Sequence, residues 1–312
     1  MESNDGSENK TEFIQVPIAQ HTEITVYAPA KLNLFLDITG RRYDGYHLMK
    51  MVMQTIDLCD IVTISVEGNG CSTLFCDGVD VPNDGSNTAL KAVNAFFNYT
   101  SIENPGIHIK IEKNIPSQAG LGGASSDAAA VFVGLNKLFG TDIPLSELCY
   151  LGARVGADVP FCIFGGSAFV EGIGEILTAL PSIPDDDCRF VIIKPEYNVS
   201  TVQAFSAFDS LQNKPILNGA ETMTNAIAMR DIETIGHCVG NAFEAVVFPE
   251  ETNRIKTALL EAGAIGSCMS GSGSAVFGIF DNLSAAKRAV KDLSEFGETY
   301  LVRPVPHGAY IH

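Results

Sequence analysis

The sequence predicts an α+β fold in two domains, built on antiparallel sheet. Three observations carry this reading. The strand-like stretches alternate apolar and polar residues, as strands with one buried face do, instead of running continuously apolar. In the first half the elements follow the order strand, strand, helix, strand, helix, without the regular alternation of a parallel α/β sheet. Finally, Pro181-Ser-Ile-Pro-Asp-Asp-Asp187 places two prolines and three successive acids in a row, which suits an exposed connection between two units. A chain of 312 residues accommodates two domains of about 150 residues each.

The elements follow in order. Residues 1–21 are polar and aperiodic and read as a flexible extension. A first domain then spans 22–182 and a second 188–312. Order begins at Ile24-Thr-Val-Tyr27. From Ala30 to Ile38, Leu32, Leu34 and Leu36 share one face, and Lys31, Asn33 and Phe35 share the other. Further strands are predicted at Asp60–Val66, at Ile107–Lys113 (Ile107, Ile109 and Ile111 opposite His108, Lys110 and Glu112) and at Arg189–Ile193. Apolar spacing predicts helices over 87–98, 126–139, 144–155, 221–235, 249–262 and 284–295. Pro144 opens the third of these and Asn282 supplies a cap region for the last.

Composition narrows the partners. Lys and Arg number 20 against 37 Asp and Glu, a formal charge of −17, and 46% of residues are hydrophobic. Nucleic-acid binding needs clustered cations against phosphates, and docking to anionic membranes needs them too, so neither is expected. A small anionic substrate remains open, because a pocket can carry a field opposite to the net charge. Eight cysteines include no C-x-x-C pair and lie mostly in apolar runs, which suits reduced buried thiols. No run of 18 apolar residues is present and the N-terminal residues match neither a signal nor a transit peptide, so the chain reads as cytoplasmic.

The strongest motif is Ile115-Pro-Ser-Gln-Ala-Gly-Leu-Gly-Gly-Ala-Ser-Ser-Asp127, set between a clear strand and a clear helix. A glycine-rich loop feeding a helix N-terminus turns unpaired N–H groups and a positive dipole end toward an anion. A tight turn with an ordinary cap is the plain alternative; three glycines and two serines within nine residues favour phosphate. No Gly-Lys dipeptide exists for a Walker A loop, and Gly120-x-Gly122 has Ser125 where a dinucleotide fingerprint needs its third glycine. Other segments stay two-sided. Lys31 is either a snorkelling edge residue or a functional cation. Asp158, in the apolar stretch Val155–Phe161, is either a turn or cap residue or an acid held for a cation or for catalysis. Met269-Ser-Gly-Ser-Gly-Ser274 is either a hairpin turn or a loop closing over phosphates. In Asp44-Gly-Tyr-His47, turn chemistry is joined to two rings, which in a ligand site could stack on a base and bond its edge.

Together these stretches resemble the GHMP kinase family. Pro29-Ala-Lys-Leu-Asn33, Asp44-Gly-Tyr-His47, Gly120-Leu-Gly-Gly123, Ser125-Ser-Asp-Ala-Ala129, Gly156-Ala-Asp-Val-Pro160, Val170-Glu-Gly-Ile-Gly-Glu-Ile-Leu177 and Ser270-Gly-Ser-Gly273 occur in the family's order over about 24–280. The resemblance implies an N-terminal ATP and catalytic domain like domain 2 of ribosomal protein S5, and a ferredoxin-like α/β-plait C-terminal domain. It implies ATP as phosphoryl donor with Mg²⁺. The D-G-Y-H and G-A-D-V-P segments narrow it to the members acting on the 2-hydroxyl of a cytidine-diphosphate sugar alcohol of the non-mevalonate isoprenoid route. Alternatives are a mevalonate- or homoserine-type kinase of the family, or a catalytically silent sensor on its fold.

Residue by residue, the resemblance makes Asp158 the base and Lys31 its cationic partner. It assigns ATP to Asn87, Lys113, Pro116, Ser117, Gln118, Ala119, Gly120, Leu121, Gly122, Gly123, Ala124, Ser125 and Ser126. It assigns the cytidine substrate to Asn33, Tyr46, His47, Thr201 and Phe205, with Phe205 as the second stacking face. Gln118, Ala119 and Ala124 depart from the family's glycine or small-residue pattern. Partners are then small molecules, with no nucleic acid or membrane, and the chain is a monomer or weak homodimer.

Overall fold

The computed structural model describes residues 22–77, 84–184, 186 and 188–312; the 1–21 extension and Asp185 and Asp187 of the acidic connection fall outside these. Two long antiparallel strands, β1 (Glu23–Arg41) and β2 (His47–Val66), form the backbone of the first sheet. β3 (Thr73–Asp77), helix α1 (Thr88–Thr100) and β4 (Ile107–Glu112) follow. Then come α2 (Gly123–Leu138), α3 (Leu145–Ala153), the short α4 (Val159–Phe164), β5 (Ser167–Glu171) and β6 (Ile176–Leu180).

Beyond the acidic connection lie β7 (Arg189–Lys194), α5 (Thr201–Asp209), α6 (Ala220–Met229), α7 (Ile232–His237), β8 (Gly240–Asn241) and α8 (Pro249–Glu261). The chain ends with β9 (Gly266–Met269), β10 (Val276–Phe280), α9 (Leu283–Asp292), β11 (Glu298–Val302) and β12 (Tyr310–Ile311).

The strands make two sheets. The first runs β12-β1-β2-β4-β3, with β5 on β2, β6 on β5 and β8 on β1; the second is fully antiparallel in the order β11-β7-β10-β9. That order, with α5 to α8 between its first two strands and α9 between its last two, is the expected α/β plait. The connection at 181–187 separates the two sheets in sequence, yet β8 and β12 return to β1.

Three cores result. α1 and α2 cover one face of the first sheet, burying Phe96, Phe132, Ile64 and Ile109. The other two cores join the sheets, one through Leu36, Met51, Val191 and Phe280, the other through Leu32, Leu34, Phe190 and Phe277. The first sheet is therefore covered on both faces, and residues 28–36 of β1 are all buried. Burial on two sides explains one departure from expectation. Leu36 leaves the company of Leu32 and Leu34 because register shifts between Pro29 and Lys31 and between Asn33 and Phe35 break the alternation.

Local chemistry accounts for the helix ends. The Asn282 side chain accepts from Ala285 N at 3.0 Å and starts α9. Pro144 caps α3 from outside, so that helix begins at Leu145. The helix expected over 221–235 is two: Arg230 takes a left-handed conformation at the end of α6, and the Asp231 side chain caps α7 by accepting from Thr234 N at 3.0 Å. α2 begins three residues earlier than expected, with Gly122 at its N-cap, so Ser125 and Ser126 lie inside its first turn and Asp127 just beyond it.

Candidate active site

Lys31 and Asn33 occupy the stretch of β1 between its first two register shifts, opposite Thr55 and Met53. A bulge on either side re-aims these two polar side chains within an otherwise apolar strand. Lys31 is 3% exposed. Its Nζ donates to Asn33 Oδ1 at 2.5 Å and lies 3.5 Å from Asp158 Oδ2. Asp158 is the residue before α4, and its side chain caps nothing; at 33% exposure it faces solvent while its lysine does not. The arrangement decides two questions left open by sequence: the lysine is a buried cation, and the acid is its partner.

The glycine loop is locked from both sides. Lys31 N donates to Leu121 O at 2.9 Å. The Ser270 hydroxyl donates to Gly120 O at 2.9 Å and accepts from Asn33 N at 3.2 Å. Ala275 N donates to Ala119 O at 3.0 Å, and Asn241 Nδ2 donates to the carbonyls of Met269 and Gly271, both at 2.7 Å. The 269–274 cluster is the turn between β9 and β10, and it packs against the glycine loop. Glycine is required at 120, where φ is +76° and a Cβ would sit 2.0 Å from Ser270 O.

At the loop's other end Ser125 N and Ser126 N both close on Gly122 O. Among the described residues, the N–H groups from Gly120 to Ala124 find no backbone acceptor, which leaves the free donors of a helix start directed at this loop. Ser126 is turned away: its hydroxyl donates to Pro29 O at 2.7 Å and it is fully buried.

A second cation, largely buried, lies beneath the loop. Lys113 binds both Asp60 and Asp127, the latter at 2.8 Å. Asp60 also accepts from the N–H groups of Asn114 at 2.6 Å and Ile115 at 2.8 Å. Burial opposes the charge on Lys113, but the two carboxylates outweigh it and hold its pKa above the ordinary value. Burial pushes Asp127 up to about 7, with Asp60 adding to the shift and Lys113 opposing it.

The opposite end is aromatic. The His47 ring stacks on Phe205 with centroids 4.5 Å apart and planes 20° apart, and Phe205 meets Phe243 edge-on. His47 Nε2 is 2.8 Å from Asp209 Oδ1, a carboxylate held below its usual range chiefly by that hydrogen bond. Tyr46 is 60% exposed, with the Arg42 guanidinium over its ring. Thr201 Oγ1 lies 2.8 Å from Ser272 Oγ, joining the start of α5 to the 270–273 turn.

Lys31, Asp158, the glycine loop, Lys113, Asp127 and the aromatic end all border one cavity of about 1090 Å³. Every residue to which the resemblance assigns a catalytic, ATP or substrate role lines it except Ser126. Asn87 does so while its side chain caps α1 by accepting from Ala89 N at 2.8 Å. Sequence reasoning missed Asp60, Asp209 and Asn241 as site residues and read Asp127 only as a first-turn acid. Each acts through a partner distant in the chain, and no local pattern marks such pairs.

Comparison with known proteins covers the same ground. The GHMP kinases N terminal domain family matches residues 87–166, and the GHMP kinases C terminal family matches 223–299. A 4-diphosphocytidyl-2-C-methyl-D-erythritol kinase of Clostridium botulinum is 42% identical over 90% of this chain and 100% of its own length. One of Acetivibrio thermocellus is 42% identical over 86% of this chain and 94% of its own. A crystal structure of 4-(cytidine 5'-diphospho)-2C-methyl-D-erythritol kinase superposes with a TM-score of 0.73 at 31% identity, covering 90% of this chain and 99% of that one. A homoserine kinase from Cytophaga hutchinsonii, at 21% identity and a TM-score of 0.76, shares the fold. With matches in both halves of the chain and whole-length relatives at this identity, the chain belongs to the GHMP kinase family, among its 4-diphosphocytidyl-2-C-methyl-D-erythritol kinases.

Proposed function

We propose that this chain transfers the γ-phosphoryl group of ATP to the 2-hydroxyl of 4-diphosphocytidyl-2-C-methyl-D-erythritol. The observation that carries the reading is the Lys31–Asp158 pair, 3.5 Å apart, in the one cavity that also holds a glycine loop at a helix start and an aromatic cluster. Asp158 takes the hydroxyl proton as the oxygen attacks the γ-phosphorus; the bond from phosphorus to the β-bridging oxygen breaks and ADP leaves. Lys31 holds Asp158 in place and offsets charge on the transferring group, with Asn33 fixing the lysine. Such a reaction needs alignment and electrostatic stabilisation more than covalent help, so one base and one placed cation suffice.

The free N–H groups at 120–124 receive the ATP phosphates, with Asn87, Lys113, Pro116 and the loop to Ser125 around the nucleotide. Tyr46, His47, Thr201 and Phe205 receive the cytidine end. Residues 22–182 thus supply the base, the lysine and the ATP loop, and 188–312 supply Thr201 and Phe205. Among the described residues no group of three His, Cys, Asp or Glu could hold a metal ion. The donor set does not fit a protein cage for Mg²⁺, so the ion we propose arrives on the ATP phosphates and keeps its waters. No described helix is long and apolar enough to cross a membrane, and we place the activity in the cytoplasm.

The deciding experiment is ATP consumption by the purified chain with 4-diphosphocytidyl-2-C-methyl-D-erythritol, mevalonate or homoserine as acceptor. Turnover with the first alone is expected. Turnover only with mevalonate or homoserine would replace this reading with another kinase of the family.

A further inference from the structure

Two lysines lie under neighbouring residues of the glycine loop. A Cβ on Gly122 would meet the Lys31 stem at 2.9 Å, and one on Gly123 would meet Lys113 Nζ at 3.2 Å. Lys31 has a role in the proposed reaction. The Lys113 cluster carries one carboxylate more than charge balance asks for. Asp60 is fully used, by Lys113 and two backbone N–H groups. Asp127 binds Lys113 through Oδ2 only; its Oδ1 is buried and has no hydrogen-bond partner. Yet Asp127 borders the cavity just past the first turn of the helix whose start faces it.

A bare, buried carboxylate oxygen beside a phosphate site is costly twice over, once for its own desolvation and once for repulsion of the ligand. A single proton removes both costs. We infer that Asp127 sets the charge beneath the nucleotide: of the two carboxylates that hold the Lys113 cation, Asp127 carries a proton while ATP is bound, and affinity for ATP falls when that proton is lost. The inference rests on the glycine loop being the ATP site. The proton comes from solvent, adds to Asp127, and returns to solvent when nucleotide leaves at alkaline pH.

The surroundings favour Asp127 as the group that titrates. From β2 it faces Asp60, whose Oδ1 already accepts from two backbone N–H groups, and from the end of β4 it faces Lys113. From α4 it faces Cys162, a thiol pushed up to about 12 by burial, and so neutral. Lys31 of β1 and Asp158 before α4 lie across the loop, paired with each other. α1, also packed on α2, carries Lys91, an exposed residue. The pKa of Asp127, raised to about 7 by burial first and then by Asp60, puts the change in the range where the enzyme can be assayed.

The test is the pH profile of KM for ATP between about pH 6 and 9, at saturating Mg²⁺ so that the nucleotide itself stays fully ionised, for the native chain and Asp127→Asn. Asparagine keeps the shape and fixes the neutral state. The native KM should rise about three- to tenfold above pH 7 while the Asp127→Asn value stays level, since one unit of charge is gained near the phosphates in one protein alone. Parallel profiles would overturn the inference, as would a change confined to kcat. Should Asp127→Asn fold poorly, calorimetry of Mg·ATP binding to the native chain near pH 8, in two buffers of different ionisation enthalpy, gives the proton count directly. Net uptake is expected, and zero uptake would overturn the inference. ATP turnover with unlinked protons defeats the inference alone; an absence of any ATP turnover defeats the reading beneath it as well.

Discussion

Gly122 stands against the Lys31 stem, and replacing it with alanine measures how far catalysis depends on where Lys31 sits. Its φ is +76°, a region that costs an L residue about 1–2 kcal/mol. In a chain of this size that lowers Tm by roughly 1.5–3 °C. The functional cost is separate. The new methyl carbon would stand 2.9 Å from Lys31 Cγ and 3.1 Å from Cε, against a comfortable carbon–carbon separation of about 3.5–4.0 Å. Lys31 must therefore give way by roughly half an ångström to one ångström. It is pinned at its far end to Asn33 and lies 3.5 Å from Asp158, so the displacement falls on the reacting geometry. A misplacement of that size costs up to about 100-fold in rate. The assay is steady-state kcat at saturating ATP and acceptor, with a thermal melt to show that the protein is folded. Gly123→Ala is the control, because its methyl presses on Lys113 and Ile115 instead and should raise KM for ATP more than it lowers kcat. A folded Gly122→Ala protein with kcat within about twofold of the native chain would refute the claim that Lys31 must be placed this closely.

Asp158→Asn should lower kcat by at least about a thousandfold, through loss of the base, with Tm unchanged because the acid is partly exposed and caps nothing; near-native kcat removes it as the base. Phe205→Ala takes away the ring against His47 and Phe243, and should raise KM for the cytidine substrate about tenfold while leaving KM for ATP alone; equal effects on both would separate Phe205 from the cytidine end. Stability carries its own mark of Asp127. An acid whose pKa is raised from 3.8 to about 7 on folding favours the fold fully below the lower value and loses that contribution as pH rises through the upper one. The Tm of Asp127→Asn should therefore gain on that of the native chain between about pH 5 and 8, and a constant difference contradicts the raised pKa. Finally, KM for ATP should respond weakly to KCl between about 50 and 200 mM, since both lysines at the loop are already paired with buried or half-buried acids; a steep rise would mean that unpaired cations attract the nucleotide.

What could be read from the sequence and what could not divide along physical lines. β4 was legible because one face is buried and the other is not, so Ile107, Ile109 and Ile111 alternate cleanly with polar residues. β2 was legible only from Asp60 onward. Its first half is buried on both sides across 51–56, which erases the period of two that marks a strand. The same double burial made β1 look like simple alternation until its register shifts were visible. α5 escaped notice because it buries only Ala204 and Phe208, and α4 because six residues give too short a run for any period to show. At the site, contiguous motifs were readable: the glycine loop, the lysine on its strand and the acid before α4. Asp60, Asp209 and Asn241 were not, since each takes its meaning from a residue 28 to 162 positions away that only the fold brings near. Asp60 illustrates the limit, because an acid at a strand's edge is ordinary until Lys113 and two backbone N–H groups converge on it.

The net charge of −17 raises the question of how such a chain receives two polyanions, and the site answers it without a basic patch. Around the glycine loop two lysines face three carboxylates, Asp158, Asp60 and Asp127, so the ionised side chains there do not sum to a positive field. Attraction must come from groups that carry no formal charge, the N–H donors from Gly120 to Ala124 at the start of α2, and from what arrives with the ligand. The lysines serve a different end. Lys31 is buried and Lys113 largely so, each against a glycine and held by acids, an arrangement that fixes position at the expense of long-range pull. For phosphoryl transfer that exchange is favourable, because charge developing at the γ-phosphate is stabilised by a cation already in place and not by one that must reorganise to reach it. The acids that make the chain anionic are, at this loop, the struts that keep its two cations still.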